Sequence, residues 1–196
     1  MNRPAAFVAL ALCSVIVLMP AAAVAADAPA PLALHLPGCL PDAAGYLRAR
    51  LRGALNQDLD WADAQIECSG GSRNEGGGVR LSFAGPPRQN GQRLRLLFGI
   101  GGTGEGRAGR ALPTNVTLIV EGARRLYSTQ GEDKCTVDSL KQERLPGSNP
   151  AIRSYRVTAR GFCVAPASSL SGKTHVLISR FDFCGRVTFP DADERH

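Results

Sequence analysis

Five cysteines follow residue 25 of this 196-residue chain, and thiol chemistry is the first that the sequence suggests. No C-x-x-C pair occurs and the chain has only 3 histidines, so neither a metal site nor a thioredoxin-like motif is predicted. In an oxidising compartment most cysteines pair. The odd number predicts two disulfides and one free thiol among Cys39, Cys68, Cys135, Cys163 and Cys184.

The pairing follows from the predicted position of each cysteine. Cys135 and Cys163 alternate with apolar neighbours on predicted strands, so both should face the interior and form one disulfide. Cys39 precedes a predicted helix and Cys68 ends the strand after it, so a second disulfide would tie that helix to the sheet. Cys184 remains as the free thiol.

The segment 175–189, HVLISRFDFCGRVTF, holds Cys184 and alternates with period two. Its apolar face comprises Leu177, Phe181, Phe183, Val187 and Phe189. The opposite face comprises Arg180, Asp182, Cys184 and Arg186. Cys184 is therefore expected to face solvent unless Gly185 introduces a bulge, and the neighbouring arginines would favour its thiolate.

A basic patch is predicted if this strand pairs with the segment 152–164, whose polar side carries further arginines. The candidate binding surface then comprises Arg156, Thr158, Arg160, Arg180 and Arg186. The competing interpretation is a buried cysteine beside ordinary surface arginines, because free cysteines are usually buried.

The glycine-rich stretch 96–110, LLFGIGGTGEGRAGR, matches G-x-G-x-x-G twice. A dinucleotide loop must open a helix whose amino terminus faces the pyrophosphate, but the next residues, ALPTNVTLIVEG, favour a strand. No Gly-Lys-Ser/Thr follows either, so we predict a connection between two strands and no cofactor. Arg107 and Arg110 make the loop a candidate anion site.

Catalytic motifs are not found in the sequence. There is no G-x-S-x-G elbow and no S-x-x-K, and the acidic residues are scattered. We therefore assign no catalytic residue.

Alternation of apolar and polar residues predicts a mainly β fold. About eight strands, separated by Gly, Pro, Asn and Ser, favour an antiparallel β-sandwich, with a barrel as the alternative. The segment 61–68 is one of these strands, and Asn90-Gly91 indicates a hairpin. Leucines at spacings of four in 41–55 predict one short amphipathic helix before the strands.

The amino terminus resembles an export signal. Arg3 supplies the positive end, Ala5–Met19 is apolar, and Ala23-Val24-Ala25 offers a cleavage site. We expect a signal peptide over 1–25, an Ala/Pro linker over 26–34 and a single β domain over 35–196, with no integral membrane segment after cleavage and a periplasmic or secreted location.

The formal net charge is +6, and the chain has 20 arginines against 3 lysines. Such a surface favours anionic partners, although a GC-rich genome also enriches arginine. The arginines are dispersed and form no dense basic block, so no nucleic-acid partner is predicted.

These features predict an exported, non-catalytic β-sandwich domain that binds a protein or an anionic envelope component. An envelope-directed hydrolase and a structural envelope subunit are the alternatives. A deep pocket with two convergent carboxylates would favour the hydrolase, and a shallow polar surface would favour binding.

Export predicts a shortened mature chain. Amino-terminal sequencing of the exported protein should begin at Ala26, or at Asp27 if cleavage follows Ala26. An intact Met1 in the soluble fraction would contradict the predicted location.

Overall fold

Antiparallel strands account for most of the described chain, as the alternating pattern predicts. The computed structural model describes residues 39–73, 77–147 and 151–190. The predicted signal peptide and the linker lie outside these residues. The eleven strands are β1 (Tyr46–Gly53), β2 (Gln57–Ala62), β3 (Glu67–Ser72), β4 (Val79–Ala84), β5 (Arg93–Ile100), β6 (Gly109–Glu121), β7 (Arg125–Ser128), β8 (Cys135–Arg144), β9 (Ile152–Cys163), β10 (Ala167–Ser169) and β11 (His175–Pro190).

The predicted helix over 41–55 is wrong, because this segment contains strand β1. Leu47, Ala49 and Leu51 are buried while the arginines between them are exposed, which is the period of a strand. The leucine spacing of four fits both periods. The segment forms a strand because it hydrogen-bonds to β2 along one edge and to β11 along the other.

The predicted strand over 61–68 is also corrected. Strand β2 ends at Ala62, a single 3₁₀ turn covers Asp63–Gln65, and β3 begins at Glu67. Trp61 and Asp63 are both buried at this turn. The hairpin at Asn90-Gly91 is confirmed, since it connects the paired strands β4 and β5.

Two long strands, β6 and β11, organise the sheet. Strand β6 pairs with β5, β7 and β8, and β11 pairs with β1, β9 and β10. Each strand therefore changes partner along one of its edges. The order β2-β1-β11-β9-β8-β6 runs across one part of the structure, and β6-β5-β4-β3 continues from it.

The core joins these two parts through aromatic contacts. Phe181 and Phe183 of β11 meet Phe98 of β5 at ring-centroid distances of 4.9 and 4.8 Å, and Phe183 meets Phe83 of β4 at 5.1 Å. All four rings are fully buried. Such tilted pairs contribute beyond their buried area, by about 0.5–1.5 kcal/mol each.

The segment before β1 is anchored by a buried carboxylate and a disulfide. Asp63 accepts hydrogen bonds from the backbone N–H groups of Leu40 and Gly45, at 3.0 and 2.9 Å. Cys39 is bonded to Cys68 of β3. The second disulfide joins Cys135 to Cys163, directly opposite each other on β8 and β9. These are the pairings expected from the sequence, except that the first holds no helix.

All described strands belong to one compact unit. Among the described residues, no helix is long and apolar enough to cross a membrane.

Close packing at one strand glycine predicts a measurable stability loss. A Cβ added at Gly161 would lie 2.1 Å from the carbonyl oxygen of Thr136 and 2.7 Å from Cζ of Phe181. We expect Gly161→Ala to lower the free energy of unfolding by about 1–3 kcal/mol, measured by urea denaturation. The control is Gly71→Ala, where the nearest atom, the carbonyl oxygen of Thr188, is 3.5 Å away. Equal losses in the two variants would contradict the packing argument.

Candidate functional site

A broad open cleft of about 1190 Å³ lies on the outer side of the β1-β11-β9-β8-β6 region. Its lining includes five cationic side chains and only two carboxylates, Asp138 and Asp182. The cationic residues are Arg48, Arg110, Lys141, Arg160 and Arg180. This concentration of positive charge makes the cleft the candidate functional site.

Two β-bulges shape the cleft. The register between β8 and β9 shifts at Asp138, and the register between β1 and β11 shifts at Ser179. Both shifts lie at the level of Gly161, which pairs with Val137 on one side and Phe181 on the other. Bulges bend strands and re-aim side chains, and neighbouring bulges therefore bend this part of the sheet.

Because of the bulge at Ser179, the predicted apolar face of β11 is wrong before that residue. Val176 and Ile178 are buried before the bulge, whereas Phe181 and Phe183 are buried after it. Leu177, predicted to be inward, is only partly buried. No bulge occurs at Gly185, because the β9–β11 register is continuous from Phe181 to Pro190.

One cross-strand row of directly opposed residues traverses the cleft. The order is Asp60, Arg48, Asp182, Arg160, Ser139 and Arg110, on β2, β1, β11, β9, β8 and β6. A guanidinium therefore stands on every second strand from β1 to β6. Neighbouring strands lie about 4.8 Å apart, so these arginines are about 10 Å from one another at the backbone.

The cations of the cleft differ in their partners. Arg48 Nε lies 3.1 Å from Asp60 Oδ1, and Arg48 Nη1 lies 3.8 Å from Asp182 Oδ1. The other four form no ion pair with any described residue: Arg110, Lys141, Arg160 and Arg180. All four are exposed. They are available to an anionic ligand.

Three aromatic residues line the cleft: Tyr46, Phe162 and the fully buried Phe181. Phe162 is 38% exposed, although most large apolar residues of the described chain are buried. The guanidinium of Arg48 lies 4.8 Å from the ring centroid of Tyr46. Burial and the nearby Asp182 carboxylate raise the pKa of the Tyr46 hydroxyl.

The predicted basic patch is divided by the structure. Strands β9 and β11 do pair, with Arg160 opposite Asp182, Thr158 opposite Cys184 and Arg156 opposite Arg186. Thr158, Arg160 and Arg180 line the cleft, whereas Arg156 and Arg186 do not. Arg156 instead forms ion pairs with Asp42 and Glu143.

The glycine-rich stretch connects β5 to β6, and a strand follows it as predicted. The side-chain amide of Gln142 accepts a hydrogen bond from Gly106 N–H and donates to the carbonyls of Gly104 and Arg107. Arg153 and the Tyr155 hydroxyl hydrogen-bond to Glu105, and the Arg153 contact lowers the pKa of that carboxyl. The loop is thus held by the protein's own side chains.

The two arginines of the predicted anion loop differ in their relation to the cleft. Arg110 lies at the start of β6 and lines the cleft, but Arg107 does not line it. Arg110 therefore contributes to the larger cleft, and an anion site formed by Arg107 and Arg110 together stays a prediction.

Cys184 is free but only 5% exposed, so the interpretation of a buried cysteine is confirmed and that of an outward thiol is wrong. It does occupy the polar face of β11, where Tyr46 and Thr158 are its cross-strand neighbours. The Asp42–Arg156 ion pair joins the segment before β1 to β9, across the intervening β11. Burial raises the pKa of the Cys184 thiol, against the expected effect of nearby arginines.

A smaller cavity of about 400 Å³ lies over β4, β5 and β6. Gly99 of β5 lies opposite Arg80 of β4 on one side and Asn115 of β6 on the other. Because it has no side chain, the cavity extends over this position. Arg73 and Glu132 pair at its margin, which neutralises part of its charge. The larger cleft is therefore the stronger candidate.

Sequence reasoning missed Arg48, Lys141, Tyr46 and Phe162. Arg48 and Tyr46 lie in the segment predicted to be a helix, but the alternation of Leu47, Ala49 and Leu51 with arginines is that of a strand. Lys141 and Phe162 lie near the cleft arginines because of the order of the strands, which cannot be read from the sequence.

No known protein family, curated protein or solved structure matches this chain. Among the described residues, no three His, Cys, Asp or Glu side chains are grouped to hold a metal ion.

Burial of Cys184 predicts slow modification in the native state. A membrane-impermeant maleimide should label the thiol much faster after unfolding, because burial limits access and raises the thiol pKa. Asp42→Ala should accelerate native labelling by releasing the Asp42–Arg156 ion pair. Asp58→Ala, which removes a surface partner of Arg50 and Arg52, is the control. Fast labelling of the unaltered protein would contradict the burial.

Proposed function

We propose that this chain is an exported, non-catalytic β domain that binds an anionic component of the cell envelope in the cationic cleft. One observation carries the proposal: the cleft has five cationic side chains against two carboxylates, and only Arg48 among these cations has a described carboxylate partner. Ligand anions would supply the missing partners.

Arginine suits this role because its planar guanidinium donates pairs of hydrogen bonds whose geometry matches carboxylate, phosphate and sulfate groups. The three exposed arginines Arg110, Arg160 and Arg180 approach from β6, β9 and β11. Several convergent donors give a ligand more charge neutralisation than an isolated surface ion pair, which contributes about 0–1 kcal/mol.

Export is supported by the amino-terminal sequence and by the two disulfides, which persist in oxidising compartments. A location in the envelope would place the cleft among anionic lipids and glycans. This chemistry fits the charge of the cleft.

For the architecture, we propose a β-sandwich rather than a barrel. The aromatic contacts of β11 with β4 and β5 support two facing layers, as does Gly185, where an added Cβ would lie 2.7 Å from Phe83 Cζ. Facing sheets pack about 10 Å apart with interdigitated side chains.

The geometry supports binding better than hydrolysis. Asp138 and Asp182 line the cleft, but they lie on strands separated by β9, with Arg160 at the intervening position. The cleft is also broad and open, whereas catalytic sites exclude water around the reacting bond. A structural envelope subunit stays a prediction that size-exclusion chromatography would address.

Charge-dependent binding tests the proposal. The protein should bind immobilised dextran sulfate and not neutral dextran, and the affinity should fall as salt concentration rises. Arg160→Ala and Arg180→Ala should each weaken binding about tenfold, which corresponds to the loss of about one charge-assisted hydrogen bond.

The matched control is Arg125→Ala, which removes an exposed arginine of β7 outside the cleft. Circular dichroism would verify that each variant is folded. Equal weakening by the control, or equal binding to neutral dextran, would show that the cleft does not select anions.

A further inference from the structure

We infer that the cleft binds a linear acidic glycan that lies across the strands and carries a carboxylate on about every second sugar. This inference rests on the proposed function and specifies its ligand. It follows from the spacing of the arginines, the acceptors between them and the exposed ring of Phe162.

The spacing of charge comes from the cross-strand row. Arg48, Arg160 and Arg110 occupy β1, β9 and β6, with one strand between each pair. Two strand spacings amount to about 10 Å, which is close to the length of a disaccharide unit. A chain with one carboxylate per disaccharide would meet the unpartnered guanidinium groups of Arg160 and Arg110 in turn, and would compete with Asp60 for Arg48.

Hydrogen-bond acceptors occupy the strands between these arginines. Asp182 on β11 separates Arg48 from Arg160, and Ser139 on β8 separates Arg160 from Arg110. Asp138 adds a second carboxylate to the lining. Sugar hydroxyls can donate to these groups, whereas a fully ionised phosphate polymer has no donors and would be repelled by both carboxylates.

Phe162 offers an apolar surface that a sugar ring can cover. It lies two residues from Arg160 on the same face of β9, about 7 Å along the strand, and lines the cleft. The C–H face of a pyranose packs on an aromatic ring, while its carboxylate and hydroxyls remain at the edges. A polyphosphate would leave this ring exposed to water.

The shape of the cleft favours a chain over a folded partner. Adjacent bulges at Asp138 and Ser179 bend the strands and give a broad concave surface. Stable protein interfaces bury about 1,200–2,000 Å² and depend on a closely packed apolar centre. Among the described residues, Phe162 is the only exposed aromatic side chain, at 38%.

The experiment compares four polyanions by isothermal titration calorimetry with the full mature protein. The probes are hyaluronan oligosaccharides with one carboxylate per disaccharide, polygalacturonate with one per sugar, inorganic polyphosphate and poly-L-glutamate. We expect hyaluronan to bind most tightly at equal anion concentration, with polyphosphate and polyglutamate about tenfold weaker.

The variant Phe162→Ala separates stacking from charge. It should weaken hyaluronan binding about three- to tenfold and leave polyphosphate binding unchanged. Leu170→Ala, which removes another exposed apolar side chain outside the cleft, is the control and should change neither. If Phe162→Ala does not fold, Phe162→Leu tests the same stacking contact.

The outcomes distinguish this inference from the proposed function. Polyphosphate or polyglutamate binding as tightly as hyaluronan, or no effect of Phe162→Ala, would overturn the glycan assignment while anion binding stands. Equal affinity for polygalacturonate would overturn the disaccharide spacing. Failure of all four probes and of dextran sulfate would overturn the proposed function itself.

Discussion

The pairing of β11 along both edges is the constraint on which the rest of the structure depends. This strand hydrogen-bonds to β1 on one side and to β9 and β10 on the other, and its phenylalanines pack on β4 and β5. Once β11 is fixed in this way, the polar residues of β1 and β9 must share one outer face. The cationic row is a direct consequence of that register.

The bulges at Asp138 and Ser179 modify this register where the cleft forms. Each inserts one residue and reverses the alternation along its own strand, so buried positions stay buried on both sides of the irregularity. The sheet thereby keeps a continuous core while its outer surface bends. Gly161, between the bulged strands, has no side chain to oppose the close approach of Thr136 and Phe181.

The arginines and the Cys184 thiol lie on the same face of the sheet but differ in their exposure to solvent. The arginines Arg110, Arg160 and Arg180 remain exposed. Cys184 lies on the same face, two residues after Asp182 along β11, but it is buried. Its cross-strand neighbours are Tyr46 and Thr158, and the Asp42–Arg156 ion pair links the segment before β1 to β9. The three guanidinium groups are thus accessible to solvent, whereas the thiol is not.

The sequence by itself determined the antiparallel β class and most strand positions, because alternation is a local property that buried strands such as β4 and β5 display clearly. It also indicated both disulfides. It did not distinguish a helix from a strand for β1, since leucines spaced by four satisfy both periods. Tertiary structure alone decided which arginines converge, because Arg48, Arg110, Lys141, Arg160 and Arg180 come from five strands whose neighbours are chosen by packing and hydrogen bonding across long sequence separations.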